Sequence, residues 1–171
     1  KALVPTPLGE ATTELMKNAV DVAAGDGFTL IVDNKGAVYG CGVNDEGQLG
    51  SGNYRDYTWL TTVIDSGAKD VEAGDAHSIV LMEDGTVKTT GANDHGQLGI
   101  DSTRTGVTSS FTTVDVKGAS AVFAGGDSSG AVANGVLYTW GDNESGQLHN
   151  GESEDLYYPE KVTSGVVSIA L

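Results

Sequence analysis

A nine-residue motif occurs three times in the chain and constrains its fold more than any other feature. It reads GVNDEGQLG from Gly42 to Gly50, GANDHGQLG from Gly91 to Gly99 and GDNESGQLH from Gly141 to His149. The glycines before the glutamines, Gly47, Gly96 and Gly146, are 49 and then 50 residues apart. Self-similarity at a fixed period of this length is typical of repeat architectures. The chain is therefore expected to fold as a row of similar units.

Short apolar runs separated by turn residues surround each copy of the motif. The first repeat shows an alternating stretch, two runs around a turn and a later outer strand, at Val20–Gly25, Phe28–Val32, Ala37–Gly42 and Thr58–Ile64. The third repeat turns at Asn134-Gly135, which between two apolar runs is a strong hairpin signal. Four antiparallel strands in about 50 residues, repeated, predict the blades of a β-propeller.

The predicted fold class is all-β, with about three propeller blades of four antiparallel strands. The predicted divisions are a lead-in segment with an edge strand at 1–19, three repeats at 20–69, 70–119 and 120–165, and the opening strand of a fourth repeat at 166–171. The edge strand is placed at Leu3–Leu8, and the outer strands of the later repeats at Ser110–Val116 and Pro159–Val162.

Charge and composition limit the classes of partner. The formal net charge is −15, and an acidic surface repels nucleic-acid phosphates and anionic lipid headgroups. No apolar run approaches the length that spans a bilayer, so neither nucleic-acid binding nor membrane insertion is expected. The single cysteine, Cys41, rules out an internal disulfide and leaves the compartment open. The chain opens without a charged-then-apolar leader, so no signal peptide is expected on it.

The repeats resemble a known family. A pattern V-x-A-G-[DG]-x-[HF]-[ST], an apolar run and D-G-x-V-Y alternates with [WC]-G-x-N-[DE]-x-G-Q-L-G, and this resembles the regulator of chromosome condensation repeat from about Val20 to Leu171. The third copy keeps Trp140-Gly141 and the second keeps His77-Ser78. Cys41 and Thr90 stand where the family usually has Trp, and Phe28 and Ser128 where it often has His. The resemblance implies a seven-bladed propeller.

Three repeats do not close a seven-bladed ring. Two explanations remain open: the chain is part of a longer protein, or copies assemble through open blade faces into a ring or a larger array. Members of the family act as guanine-nucleotide exchange factors on chromatin, and others as secreted inhibitors or surface proteins. The acidity of the chain and its lack of a basic tail disfavour the chromatin role.

The repeated polar residues predict turns rather than chemistry. The pairs Asn44-Asp45, Asn93-Asp94 and Asn143-Glu144 suggest a calcium loop, but such a loop needs six to eight converging oxygens. The alternative, preferred here, is that they shape turns by bonding their own backbone. The glutamines are expected to satisfy backbone groups between blades. The three histidines lack ligand spacing, so the sequence predicts no metal site and no cofactor.

Neither a nucleophile-and-base arrangement nor a phosphate-binding loop is evident, so the chain is predicted not to be an enzyme. Cys41 is interpreted as a small buried hydrophobe. The loops after each motif carry the residue types found at interface hot spots. The predicted partner-binding residues are Tyr54, Arg55, Tyr57, Trp59, Arg104, Tyr157 and Tyr158. For Trp59 the alternative is a core position.

The leading functional hypothesis is a non-enzymatic protein-binding or assembly module, part of a larger extracellular or surface protein. Its expected partner is another protein or further copies of the chain, and a cytoplasmic location is the alternative. The other hypotheses are a structural subunit that self-associates through open blade faces into a ring or filament, and a regulator of a small GTPase or inhibitor of an enzyme.

Overall fold

The computed structural model describes residues 17–100 and 106–165. Within these ranges twelve β-strands form three four-stranded antiparallel sheets, each made of consecutive strands. The predicted all-β fold of four-stranded blades is thereby confirmed. The edge strand expected at Leu3–Leu8, the opening strand expected at 166–171 and the candidate binding residue Arg104 lie outside the described residues.

The three sheets are named blades 1, 2 and 3 in chain order. Blade 1 comprises β1 (Ala19–Ala24), β2 (Phe28–Asp33), β3 (Val38–Gly42) and β4 (Tyr57–Ile64). Blade 2 comprises β5 (Ala68–Ala73), β6 (His77–Met82), β7 (Val87–Ala92) and β8 (Val107–Thr113). Blade 3 comprises β9 (Ala119–Gly125), β10 (Ser128–Ala133), β11 (Val136–Gly141) and β12 (Leu156–Ser164). In each blade the repeat motif follows the third strand.

Two outer strands differ from the sequence prediction. β8 begins earlier than predicted, because Thr108 already pairs with Gly91, and it ends at Thr113. Beyond it, Val114 and Val116 continue an alternating apolar pattern, but they are buried in the core between blades 2 and 3 as a connecting segment. β12 is longer than predicted and accommodates Pro159, since an outermost strand has no need of every backbone donor.

The hairpin of blade 3 forms as predicted. Asn134 and Gly135 have φ angles of 52° and 74°, and β10 pairs with β11 directly on either side of them. Positive φ at both central residues matches the twist of the flanking strands, and Asn and Gly tolerate it best.

The apolar core lies between the blades. One cluster joins the side chains of blade 1 to those of the inner strands of blade 2, and includes Leu30, Val32, Val38, Leu49, Val71 and Val80. A second cluster joins blade 2 to blade 3, and includes Ile79, Leu81, Val87, Val122, Ala131 and Trp140. Blade 2 thus buries both of its faces against its neighbours, and the blades depend on one another for stability. Among the described residues, no helix has the length and apolarity needed to cross a bilayer.

Candidate functional site

The asparagine of each motif holds the motif loop together. Asn44 Oδ1 accepts the Leu49 N–H at 2.9 Å, and its Nδ2 donates to the carbonyl oxygens of Asn53 and Arg55 at 2.8 and 3.0 Å. Asn143 makes the corresponding bonds in blade 3, and all three motif asparagines are buried. The preferred interpretation of these residues as turn formers is confirmed, because their amides are occupied by backbone groups.

The glutamines act mainly within the motif. Gln48 Oε1 accepts the Glu46 N–H, and Gln97 Oε1 accepts the His95 N–H. Within residues 17–100 and 106–165, Gln97 is the one motif glutamine whose side chain bonds to another blade, where its Nε2 donates to Asp127 Oδ1 at 3.0 Å. The expectation that the side chains satisfy backbone groups between blades is therefore wrong in its main part. The main chain of the motif forms the junction instead.

Main-chain carbonyls of one motif accept hydrogen bonds from the next blade. Ser78 Oγ donates to Gln48 O at 2.6 Å. The Thr90 hydroxyl lies 3.0 Å from Gly47 O and 2.8 Å from Thr108 O of its own blade, and its single proton is shared between them. Between blades 2 and 3, Gln97 O accepts both Ser129 Oγ and Trp140 Nε1, at 2.8 and 2.9 Å. Thr90 and Trp140 occupy equivalent positions, but their acceptors are neighbouring carbonyls, that of the motif glycine and that of the motif glutamine.

His77 lies at the contact between blades 2 and 3. Its Nε2 lies 2.7 Å from Ser129 Oγ, whose single proton is directed to Gln97 O. His77 must therefore donate through Nε2–H, which leaves Nδ1 as a buried acceptor without a hydrogen-bond partner. Complete burial lowers the pKa of His77 to about 4, so the ring is neutral at pH 7. The structure confirms the prediction that His77 is a hydrogen-bonded structural residue.

The face of blade 1 that points away from blade 2 exposes residues that are buried in the other blades. Val22 is 62% exposed, whereas Val71 and Val122, its counterparts in β5 and β9, are 1% and 4% exposed. Cys41, which occupies the position of Thr90 and Trp140, is half-buried, and partial burial raises the pKa of its thiol. We call this surface the leading face of blade 1.

Three predicted binding residues of blade 1 are exposed and one is structural. Trp59 is 80% exposed at the start of the outer strand β4, which makes its alternative interpretation as a core residue wrong. Tyr54 and Arg55 are exposed in the preceding loop. Tyr57 is half-buried against the core, and its hydroxyl accepts a hydrogen bond from Asn53 Nδ2 at 2.8 Å.

Of the two predicted binding tyrosines of blade 3, one is structural and one is exposed. Tyr157 packs over Gly96, where an added Cβ would lie 2.7 Å from the Tyr157 Cα, and its hydroxyl donates to Asp94 O at 3.1 Å. It therefore belongs to the junction with blade 2. Tyr158 is half exposed on β12, at the position that Trp59 holds on β4. The structure thus leaves Tyr54, Arg55, Trp59 and Tyr158 as surface candidates.

A histidine and two carboxylates converge at the same junction. His95 Nδ1 lies 2.9 Å from Asp155 Oδ2, and ligand atoms of His95, Asp142 and Asp155 all lie within 4.8 Å of one another. The hydrogen bond to Asp155 raises the pKa of His95, and the negative charges of Asp127 and Asp142 act in the same direction. Sequence reasoning missed this cluster, because no local spacing links residues that are up to 60 positions apart.

Two models of the regulator of chromosome condensation (RCC1) repeat match the chain. One matches residues 19–48 and 68–97, and the other residues 35–81 and 134–171. Together the matches span 19–97 and 134–171, which is more than half of the chain. The chain belongs to the RCC1 repeat family.

Solved structures share this RCC1 fold. Human WBSCR16 is 27% identical, with a TM-score of 0.73 over 84% of this chain and 40% of its own. Prp20p from Saccharomyces cerevisiae, described with its binding to Gsp1p and histones, is 23% identical, with a TM-score of 0.72 over 86% of this chain and 39% of its own. Yeast RCC1 (Prp20) bound to Kap60 is 18% identical, with a TM-score of 0.53 over 85% of this chain and 49% of its own.

The chain spans about two fifths of the length of the first two of these structures. No curated protein matches it. Because the yeast structures are less than 25% identical to this chain, they show the RCC1 fold alone.

The contacts also show what takes the place of the family's tryptophan in blade 2. Thr90 and Trp140 both reach a main-chain carbonyl of the preceding motif. The space beside the last motif glycine is filled by Trp140 at Gly99, where an added Cβ would lie 2.8 Å from Nε1, and by the ring of Phe111 at Gly50.

Proposed function

We propose that this chain is a non-enzymatic protein-binding module of RCC1 repeats, and that it contacts its partner through the segment Tyr54–Trp59 of blade 1. The observation that carries this proposal is the 80% exposure of Trp59, next to exposed Tyr54 and Arg55. Trp, Tyr and Arg are the residues most enriched at interface hot spots. A tryptophan has only two side-chain torsions to fix, so it loses little conformational entropy when a partner covers it.

The class of partner is also supported by solved structures of the same fold. Yeast Prp20 is described as binding Gsp1p and histones, and one of its structures is bound to Kap60. Those partners belong to Prp20. For this chain they support a protein as the class of partner, and the charge of −15 favours a partner with a basic surface.

The absence of an enzymatic activity is part of the proposal. A cleft of about 440 Å³ is formed by residues 84–86 and 113–118, and its lining contains neither a histidine nor a cysteine. The buried His77 has its Nε2 committed to Ser129, so it is not available to a substrate. Cofactors are accordingly not required for the proposed function.

Site-specific photo-cross-linking tests the binding surface. A benzophenone amino acid replaces Trp59 in the protein as its source produces it, and in a matched control it replaces Thr62, an exposed residue of the same strand. We expect a defined cross-linked protein from position 59 and none from position 62. Trp59→Ala should then weaken binding of that partner by about tenfold or more, as expected for a hot-spot residue. Equal cross-linking at both positions would exclude this surface.

A second candidate function is self-association through open blade faces, and the exposure of Val22 favours it. Its counterparts in blades 2 and 3 are buried by the preceding blade, so the leading face of blade 1 is shaped to receive another blade. If the chain self-associates, a second copy supplies that blade, and repetition of this contact gives a ring or a filament.

Light scattering after size exclusion tests self-association. The expected result is a mass that is a multiple of 17.5 kDa and that Val22→Lys reduces to one chain. Val20→Lys is the matched control, because Val20 is also exposed but its counterpart in β5 is Lys69, itself exposed. A monomer at every concentration, or equal effects of both substitutions, would exclude the second candidate.

The hypotheses that the chain regulates a small GTPase or inhibits an enzyme are supported by the family resemblance and by no particular residue of this chain. The proposed location is extracellular or at the cell surface, with the cytoplasm as the alternative. It is supported by the low content of Lys and Arg, 9 residues against 24 Asp and Glu. Protease treatment of intact source cells tests it: loss of the protein supports the surface, and full protection supports the cytoplasm.

A further inference from the structure

Three side chains from separate loops meet where blade 2 contacts blade 3. His95 belongs to the second motif, Asp142 opens the third motif, and Asp155 lies directly before β12. Their potential ligand atoms lie within 4.8 Å of one another, and each side chain is partly exposed. His95 Nδ1 and Asp155 Oδ2, 2.9 Å apart, can share one ion with bonds of about 2 Å. Asp142 lies near enough to complete the set after a small change in its side-chain torsions.

The two carboxylates are held in place by other groups. Asp155 Oδ1 accepts the Asn143 N–H at 3.0 Å, while Oδ2 faces His95. Asp142 accepts the Glu144 N–H through Oδ1 and Gln147 Nε2 through Oδ2, at 3.0 and 2.7 Å. Outer hydrogen bonds of this kind orient the carboxylates that bind metals, and each oxygen keeps a second lone pair for an ion.

The charges around the cluster favour a cation. Asp142 and Asp155 each place a carboxylate oxygen within 4.8 Å of a nitrogen of the His95 ring. These two carboxylates put two negative charges beside one imidazole, which is neutral when it binds a metal. A divalent cation offsets more of this negative charge than a proton does.

The repeated structure accounts for only one of these residues. Asp155 has a structural counterpart, since Asp56 accepts the Asn44 N–H in blade 1 in the same way. The positions equivalent to Asp142 are Val43 and Ala92, and the third motif has Ser145 where the second has His95. Two of the three side chains are thus additions to the repeat at this junction.

We propose that His95, Asp142 and Asp155 bind Zn²⁺, with water as the fourth ligand, and that the ion fastens blade 2 to blade 3. One imidazole nitrogen with two carboxylate oxygens suits zinc, which commonly takes four ligands of these types. Calcium requires six to eight oxygens, which this donor set does not supply. The proposal is independent of the binding surface at Tyr54–Trp59.

Calorimetric titration of the chain with ZnCl₂ tests the site. Two of the three ligands are replaced by the residue that another repeat carries at the position, giving His95→Ser and Asp142→Ala, and His149→Ser is the control in the third motif. We expect one Zn²⁺ per chain, binding weakened about tenfold or more by the first two substitutions, and binding within about twofold of wild type in the control. CaCl₂ at the same concentrations should give no saturable heat.

Two further measurements keep the test decisive if a variant folds poorly. In the wild-type chain, Zn²⁺ should shift the ring proton resonances of His95 but leave those of His149 unchanged, and Co²⁺ should show visible absorption bands typical of tetrahedral nitrogen and oxygen ligands. Zinc should also raise the unfolding temperature. Absence of saturable zinc binding, equal affinity in all variants, or unshifted His95 resonances would overturn the proposal.

Discussion

At the scale of single residues, each copy of the motif is organised by one asparagine. Its side chain satisfies one backbone donor and two backbone acceptors of its own loop, and it does so in a buried position. Neighbouring acidic residues such as Asp45 remain exposed. The motif recurs because this loop geometry recurs, and the aspartates beside it are not needed for it.

Asn44→Ala should therefore destabilise the chain by about 2–3 kcal/mol, because it leaves the buried Leu49 N–H and two loop carbonyls without partners. Urea unfolding at pH 7 measures the change in free energy. Asp45→Ala, one position further on and exposed, should stay within about 0.5 kcal/mol of wild type. Similar losses in both variants would contradict this account of the loop.

His77 predicts a dependence of stability on pH. Burial lowers its pKa to about 4 in the folded chain, against an ordinary value of 6.5. Between these values the unfolded chain binds the proton more readily, so stability falls as the pH decreases from 6.5 to 4. The loss attributable to His77 is at most about 3 kcal/mol.

His77→Phe, which installs the residue that Phe28 provides in blade 1, should remove this contribution. The measurement is the difference in unfolding free energy between wild type and variant at pH 7, 6, 5 and 4. We expect the wild type to lose stability relative to the variant on acidification. If the unfolding free energies of the two proteins changed in parallel over this range, His77 would not be the source of the pH dependence.

At the scale of elements, the inner strands of blades 1 and 2 bring acidic residues together. Asp70 of β5 is partly buried beside Asp21 of β1, which accepts the Val71 N–H at 3.0 Å. Burial, followed by the hydrogen bond and charge of Asp21 and by the charge of Glu72, raises the pKa of Asp70 to about 7. The folded chain therefore retains a proton that the unfolded chain releases near pH 4.

The sign of this effect is opposite to that of His77. Because the folded state holds the extra proton, the contribution of Asp70 to stability falls as the pH rises from about 4 to about 7. Asp70→Asn should stabilise the chain at pH 8 by about 1 kcal/mol, after allowance for solvent screening of a partly exposed group, and should have little effect at pH 4. Thermal unfolding at the two pH values measures it.

Asp65→Asn is the matched control for this prediction. Asp65 is exposed in the turn between β4 and β5, and its replacement should change stability little at either pH. Stabilisation of equal size by both substitutions would indicate a general effect of the net charge of −15 rather than a local effect at Asp70.

At the scale of the whole molecule, the blades form a row in which only blade 2 has a described blade on both sides. Local opening is cheapest where the fewest contacts are lost. Amide hydrogens of β6 should therefore exchange with solvent at least about tenfold more slowly than those of β12, the exposed outer strand of blade 3. Hydrogen exchange followed by mass spectrometry measures both, and equal protection would contradict a row of unequal blades.

The fold was predictable because its determinants are local and repeated. The Asn-Gly turn at 134–135 and the spacing of the motif required no knowledge of distant contacts. The sequence left the position of Trp59 open between an exposed binding residue and a core residue, since an apolar strand residue is ordinarily expected in a core. The contact between His95 and Asp155 was not predicted, because the two residues are 60 positions apart and their contact depends on how blade 3 packs against blade 2.

The chemistry of the blade junction has a consequence for how such proteins change over generations. The acceptors at the junction are main-chain carbonyls of Gly47, Gln48 and Gln97, which every sequence possesses, and the donors are as different as serine, threonine and tryptophan. These bonds do not depend on which blade follows which, in contrast to the side-chain pairs His77–Ser129 and Gln97–Asp127 between blades 2 and 3. A gene can therefore duplicate, delete or move one repeat, because the main-chain carbonyls of the preceding repeat are available to any repeat inserted after it.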